Sequence, residues 1–278
     1  MKSILAALDD TPSGKAAIGF ALKKARTTGA RLSGIAVIDR DFLMPPEPGR
    51  IGMIELKARR DAARLAAEQQ RVQKVQREFL NSCTASGVDA DVAVLQGEPV
   101  RSVREVSALH DAVVIGRDSD LHGEASDGSA DTVCGLLKAT ARPLFVVPPA
   151  GDARTSTDIL IAYDASIPSA RTLQIFALLR LANGVKCTVL SVDRNRERAV
   201  RAAQEAGSYL SLFGHVPTLT PIASGADPAD VAAEFVATEK PGIMVMGAYG
   251  HTGLKERLLG SFTTKMLARC AAPLFVYH

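Results

Sequence analysis

The chain has 278 residues, 47% of them apolar but only 5% aromatic, with no Trp. Its formal charge of +3 is too mild to point to nucleic acid. No stretch approaches the ~20 consecutive apolar residues needed to span a bilayer.

The apolar mass is Ala, Val, Leu and Ile, the mixture that packs helices onto parallel strands. Met1 to Leu8 begins an apolar run at once, but Asp9 and Asp10 stop it short of a signal-peptide core. Cys83, Cys134, Cys187 and Cys270 are scattered without a Cys-x-x-Cys pair, which suits a reducing compartment and a cytoplasmic location. A helical pattern follows from Gly14 to Thr28, then a second apolar run, Ile35 to Ile38, closed by Asp39. Pro45-Pro46-Glu47-Pro48-Gly49 leads into a long helix over Met53 to Leu80, whose basic residues read as a solvated face. Gly97-Glu98-Pro99 marks a turn, Ala112 to Ile115 a further strand, and Leu144 to Val147 the last strand of this half.

After Pro148-Pro149-Ala150-Gly151 the chain repeats itself. Ile159 to Asp164 matches Ile4 to Asp9, and Val189 to Asp193 matches Ile35 to Asp39. Gly225-Ala226-Asp227-Pro228 matches Gly97-Glu98-Pro99. Ile243 to Gly247 matches Ala112 to Gly116, and Pro273 to Val276 matches Pro143 to Val146. The expected fold class is α/β, as two tandem doubly wound parallel-sheet domains, 1–150 and 151–278. Five strands alternate with helices in each half, and the third strand of neither half is assigned to residues. The second crossover is shorter in the second half, near Arg194 to Phe213.

The strand Ile243 to Met246 runs into Gly247-Ala248-Tyr249-Gly250-His251-Thr252-Gly253, and the loop closes at Gly260-Ser261. It leaves the carboxyl end of a strand, where open α/β sheets bind ligands. Gly247 and Gly250 let the backbone approach a ligand, and a helix beginning at Gly260-Ser261 presents free N–H groups to phosphate. His251 and Lys255 stand within the loop as further contacts. The plain alternatives are a tight turn, and Ser261 as an ordinary helix cap. Neither a Rossmann Gly-x-Gly-x-x-Gly after the first strand nor a P-loop is present.

Gly247, two residues, Gly250, nine residues and then Gly260-Ser261 is a spacing that resembles the universal stress protein family. The resemblance covers the whole chain as two copies and implies that family's fold, akin to the adenine-nucleotide alpha hydrolases. It implies ATP, with or without Mg, as the ligand. It places the adenosine end at Ala162, Asp164 and Val192, and the phosphates at Gly247, Gly250, Gly260, Ser261, Phe262 and Thr263. It also implies that Leu144–Val147 and Leu274–Tyr277 pair, making the chain an intramolecular pseudo-dimer; a further homodimer stays open.

The first half departs from this pattern. Gly116 survives, Ser119 replaces the second glycine, and Gly128-Ser129 stands in for the closing pair. Asp118, Asp120, Glu124, Asp127 and Asp131 there face Arg117 alone, whereas the second loop carries Lys255, Arg257 and Lys265 against Glu256. Like charges disfavour a polyphosphate in the first half unless a cation bridges them. The functional expectation is a cytoplasmic, nucleotide-dependent stress-response regulator with adenine nucleotide as partner, no nucleic acid and no membrane. No general base or metal-binding acid stands in the glycine loop, so efficient catalysis is not expected, and slow hydrolysis stays open. The rival is a protein-interaction module with a vestigial site. An adenylate-transfer or electron-transfer relative ranks below both.

Overall fold

The computed structural model describes residues 1–46, 54–122, 131–149, 151, 156–248 and 260–278. The first half runs β1 (Ser3–Ala7), α1 (Pro12–Thr28), β2 (Arg31–Ile38), the short α2 (Arg40–Leu43) and α3 (Ile54–Ala85). It continues with β3 (Ala90–Gln96), α4 (Pro99–Ser107), β4 (Ala112–Gly116), α5 (Asp131–Ala139) and β5 (Leu144–Val147). The second half begins β6 (Ile159–Ala162), α6 (Ile167–Leu178), β7 (Cys187–Asp193) and α7 (Arg196–Ser211). It ends β8 (Thr218–Ala223), α8 (Pro228–Glu239), β9 (Ile243–Gly247), α9 (Ser261–Arg269) and β10 (Leu274–Tyr277).

The apolar runs become strands because both their faces are covered. Along β1, Ile4 and Ala6 join one buried layer while Leu5 and Ala7 join the other. One layer is completed by α1, α3, α6 and α7 through Phe20, Phe79, Phe176 and Ala203. The other is completed by α4, α5, α8 and α9 through Val103, Leu136, Ala232 and Met266. Alternate residues of one strand therefore serve opposite helical layers, the arrangement of a doubly wound sheet. The long helix extends past Leu80 to Ala85, and Val72, Val75, Phe79 and Cys83 form its buried stripe.

All strands lie in one sheet, ordered β3-β2-β1-β4-β5-β10-β9-β6-β7-β8. Within each half every pairing is parallel. At the centre, β5 and β10 pair antiparallel, with Leu274 opposite Val146, Phe275 opposite Phe145 and Val276 opposite Leu144. Each covers what would be an exposed edge of the other half. Phe145 and Phe275 meet edge-on with ring centroids 5.0 Å apart. Phe20 packs on Phe145 at 5.3 Å and Phe176 on Phe275 at 5.5 Å. These four rings carry the join across the sheet, each helix reaching its own half's last strand.

Candidate functional site

In the second half, the chain leaves β6 toward β7 and leaves β9 toward β10, on opposite sides. The crevice between the carboxyl ends of β6 and β9 is thus the switch point at which such sheets take ligands. A cavity of about 1060 Å³ opens there. Ala162, Asp164 and Val192 line it on one side, and Gly247, Gly260, Ser261, Phe262 and Thr263 on the other. Gly250, with His251, Lys255 and Arg257, lies outside the described residues.

Local chemistry explains each wall. Asp164 follows β6 directly, and its carboxylate accepts the Ser166 N–H at 3.0 Å, which sets the turn into α6. The carboxylate keeps an exposed face toward the cavity. Ala162, Val192 and Phe262 are partly buried against the core and offer it apolar surface.

Gly247 has a packing reason that the loop reading missed. A Cβ there would stand 2.6 Å from the Ser169 amide nitrogen and 2.7 Å from the Pro168 carbonyl carbon. Gly116 is held the same way in the first half, with a Cβ meeting the Gly14 nitrogen at 2.5 Å. Both glycines let the fourth strand of their half press against the start of its first helix, and that requirement holds with or without a ligand.

Gly260, not Ser261, is the N-cap of α9, and among the described residues no side chain caps that helix's first N–H groups. By contrast, α1, α4, α6, α7 and α8 are capped by Thr11, Glu98, Ser166, Asn195 and Asp227. Ser261, Phe262 and Thr263 therefore turn unsatisfied donors and the positive end of the helix dipole toward the cavity.

Further lining groups were not singled out from sequence. Tyr163 borders the cavity, and burial pushes its phenol above the ordinary value. Arg194, Arg198 and Arg201 line the side formed by α7. Arg198 and Arg201, three residues apart within α7, share a helical face, a signal that the sequence does contain. Lys265, counted above as a loop cation, is bonded to Asp227; that bond and the Ala229 N–H hold the Asp227 carboxyl below its ordinary value. With Arg269–Asp230 at 2.7 Å it ties α9 to α8.

The first half presents the same position closed. Asp9 accepts the Thr11 N–H at 2.9 Å, the Leu121 N–H at 3.2 Å and the Ser119 hydroxyl. Ser119 is the residue that replaces the second glycine, so the substitution supplies the donor that occupies the carboxylate. Leu121 is 1% exposed and packs in the same buried layer as Ala7 and Val37. Arg71, from α3, is paired with Glu68 at 2.6 Å and Asp10 at 3.2 Å. His122 reaches Asp39 at 3.2 Å and stacks on Phe42. Charge is therefore joined by a steric reason: the chain's own loop lies over Asp9. Gly128 and Ser129 fall outside the described residues. Among the described residues, no group of three His, Cys, Asp or Glu side chains could hold a metal ion, and no helix is long and apolar enough to cross a membrane.

The sequence model of the universal stress protein family matches residues 1–130 and 155–278. A universal stress protein of Synechocystis is 21% identical over 170 residues, a match covering 60% of this chain and 58% of that relative's length. The fold is similar to that of a universal stress protein from Archaeoglobus fulgidus, with TM-score 0.70 and 16% identity over 99% of this chain and 97% of that one. A putative universal stress protein from Pseudomonas aeruginosa superposes with TM-score 0.60 and 14% identity over 100% of this chain and 93% of that one.

Proposed function

The chain belongs to the universal stress protein family, and from that premise we propose that its C-terminal half binds an adenine nucleotide, ATP first among them. The observation that carries this reading is the uncapped N-terminus of α9, opening into the cavity that Asp164 and Val192 also line. The first N–H groups of α9 and the Ser261 hydroxyl donate to phosphate oxygens. The Asp164 carboxylate accepts from ribose hydroxyls or an exocyclic amine, and Val192 provides an apolar wall for the base.

The first half does not take part, because Ser119 and Leu121 close over Asp9. Each chain carries one site. Nucleotide occupancy, rather than turnover, is the signal this cytoplasmic regulator passes on. Titration of the intact chain with fluorescently labelled ATP tests the reading. Saturable binding with one equivalent per chain, lost in Gly250→Ala plus Ser261→Ala, supports it; absence of binding to the unaltered chain overturns it.

A further inference from the structure

We propose that the cavity is built for an adenine nucleotide bearing a second phosphate on its ribose, held by Arg198 and Arg201 with Arg194 beside them. This rests on the adenine-nucleotide reading above. Asn195 caps α7, accepting the N–H groups of Glu197 at 2.8 Å and Arg198 at 3.1 Å. The helix that follows puts Arg198 and Arg201 on one face, Arg194 stands just before the cap, and all three line the cavity. Among the described residues, none of these guanidinium groups has an ion pair or hydrogen bond.

The carboxylates around the cavity have other engagements. Asp193 accepts the Asn195 N–H at 2.7 Å, and Asp164 accepts that of Ser166. Asp227 accepts the Ala229 N–H at 2.8 Å and holds Lys265. Glu205 remains on the α7 face, one acid against three guanidinium groups. Where the chain supplies partners it uses them: Arg71, from the corresponding crossover of the first half, is paired with Glu68 and Asp10. A row of like charges lining a cavity is costly until an anion sits between them, and guanidinium matches phosphate in two-point geometry.

Placement separates this row from the first phosphate site. α9 follows β9 and α7 follows β7, with β6 between those strands. Two strand spacings, with α7 and α9 on opposite faces of the sheet, put the two anion-seeking walls at least roughly 10 Å apart. One phosphate does not reach both. With 5′-phosphate at α9 and the exocyclic amine of the base at Asp164, the 2′,3′ edge of the sugar is left to face α7.

The test is titration of the intact chain with AMP, ATP and adenosine 3′,5′-bisphosphate in ~0.15 M salt, which screens non-specific attraction. The bisphosphate is expected to bind about tenfold or more tightly than AMP, since it gains charge-assisted bonds. Arg198→Ala plus Arg201→Ala removes that preference and leaves AMP within about twofold. Arg196→Ala, which removes one positive charge from the same helix off the cavity, leaves the preference intact. Equal binding of AMP and the bisphosphate overturns the proposal, as does an equal loss of AMP, ATP and bisphosphate in the double variant. If ATP and AMP bind without that preference, only this proposal falls; if no adenine nucleotide binds, the parent reading falls with it.

Discussion

Asp9 and Asp164 close the first strand of their halves alike, each accepting the amide two residues on, yet Asp9 is fully buried while Asp164 faces a cavity. The two carboxylates should therefore answer to different measurements. Asp9→Ala strands the Ser119 hydroxyl and the Leu121 N–H, and is expected to cost about 3 kcal/mol in urea unfolding. Asp164→Ala is expected to cost less than about 1 kcal/mol while weakening nucleotide binding about tenfold or more. Equal stability losses would contradict this division of roles.

Gly247→Ala and Gly116→Ala should both destabilise, by about 1–3 kcal/mol, with no nucleotide present. The cause is the Cβ that would meet the start of α6 or α1. Thermal melts of the ligand-free variants check it, and an unchanged midpoint for Gly247→Ala would restore the glycine to a purely ligand-facing role.

Gly260→Asp separates fold from function in the opposite direction. Its backbone is extended, so aspartate fits the cap position, and stability should rise by a few tenths of a kcal/mol. The same carboxylate stands where phosphate is expected and should lower ATP affinity by more than about tenfold. Paired melts and titrations of this one variant read both effects.

The four-ring cluster predicts coupling between the halves. Phe145→Ala or Phe275→Ala should each cost about 3–5 kcal/mol. Because their rings touch, the double variant should lose about 0.5–1.5 kcal/mol less than the sum. A fully additive cycle by urea unfolding would show that the rings act independently.

The Asp227–Lys265 bond gives stability a particular acid limb. The folded carboxyl sits below its ordinary value of 3.8. Its contribution is complete above that value and fades as pH falls through the lower folded value. Asp227→Ala should show a lower urea midpoint at neutral pH and a shallower decline below pH ~4 than the unaltered chain. Parallel acid limbs in the two proteins would refute this assignment.

Much of the fold was legible because its central strands are continuous apolar runs with a copy to compare against. The third strands were not, for a physical reason: β3 and β8 are the outer strands of the sheet, half-exposed, and β8 contains Pro221. Such strands lack the unbroken apolar signature. At the site, Gly260 was readable from the spacing of the glycine loop, and Asp164 from the internal repeat and the family resemblance. Packing demand at Gly247 was not, since the clash involves Ser169 and Pro168, far away in sequence. The Arg198 and Arg201 pair was visible as spacing, but nothing in sequence said which face of α7 meets the cavity. Ser119 could be read as a lost glycine; its bond to Asp9 required the fold.

The antiparallel β5–β10 pairing has a consequence for how the molecule meets its surroundings. Every strand of one half runs against every strand of the other, so the carboxyl-end loops of the halves emerge from opposite rims of the sheet. The plugged rim, with Phe42 half-exposed beside His122, and the open rim at Asp164 face away from each other. A partner gripping the first cannot touch a ligand in the second. Under the proposed reading, a partner held at the first rim would be separated from a nucleotide at the second, with the Phe145–Phe275 seam between them.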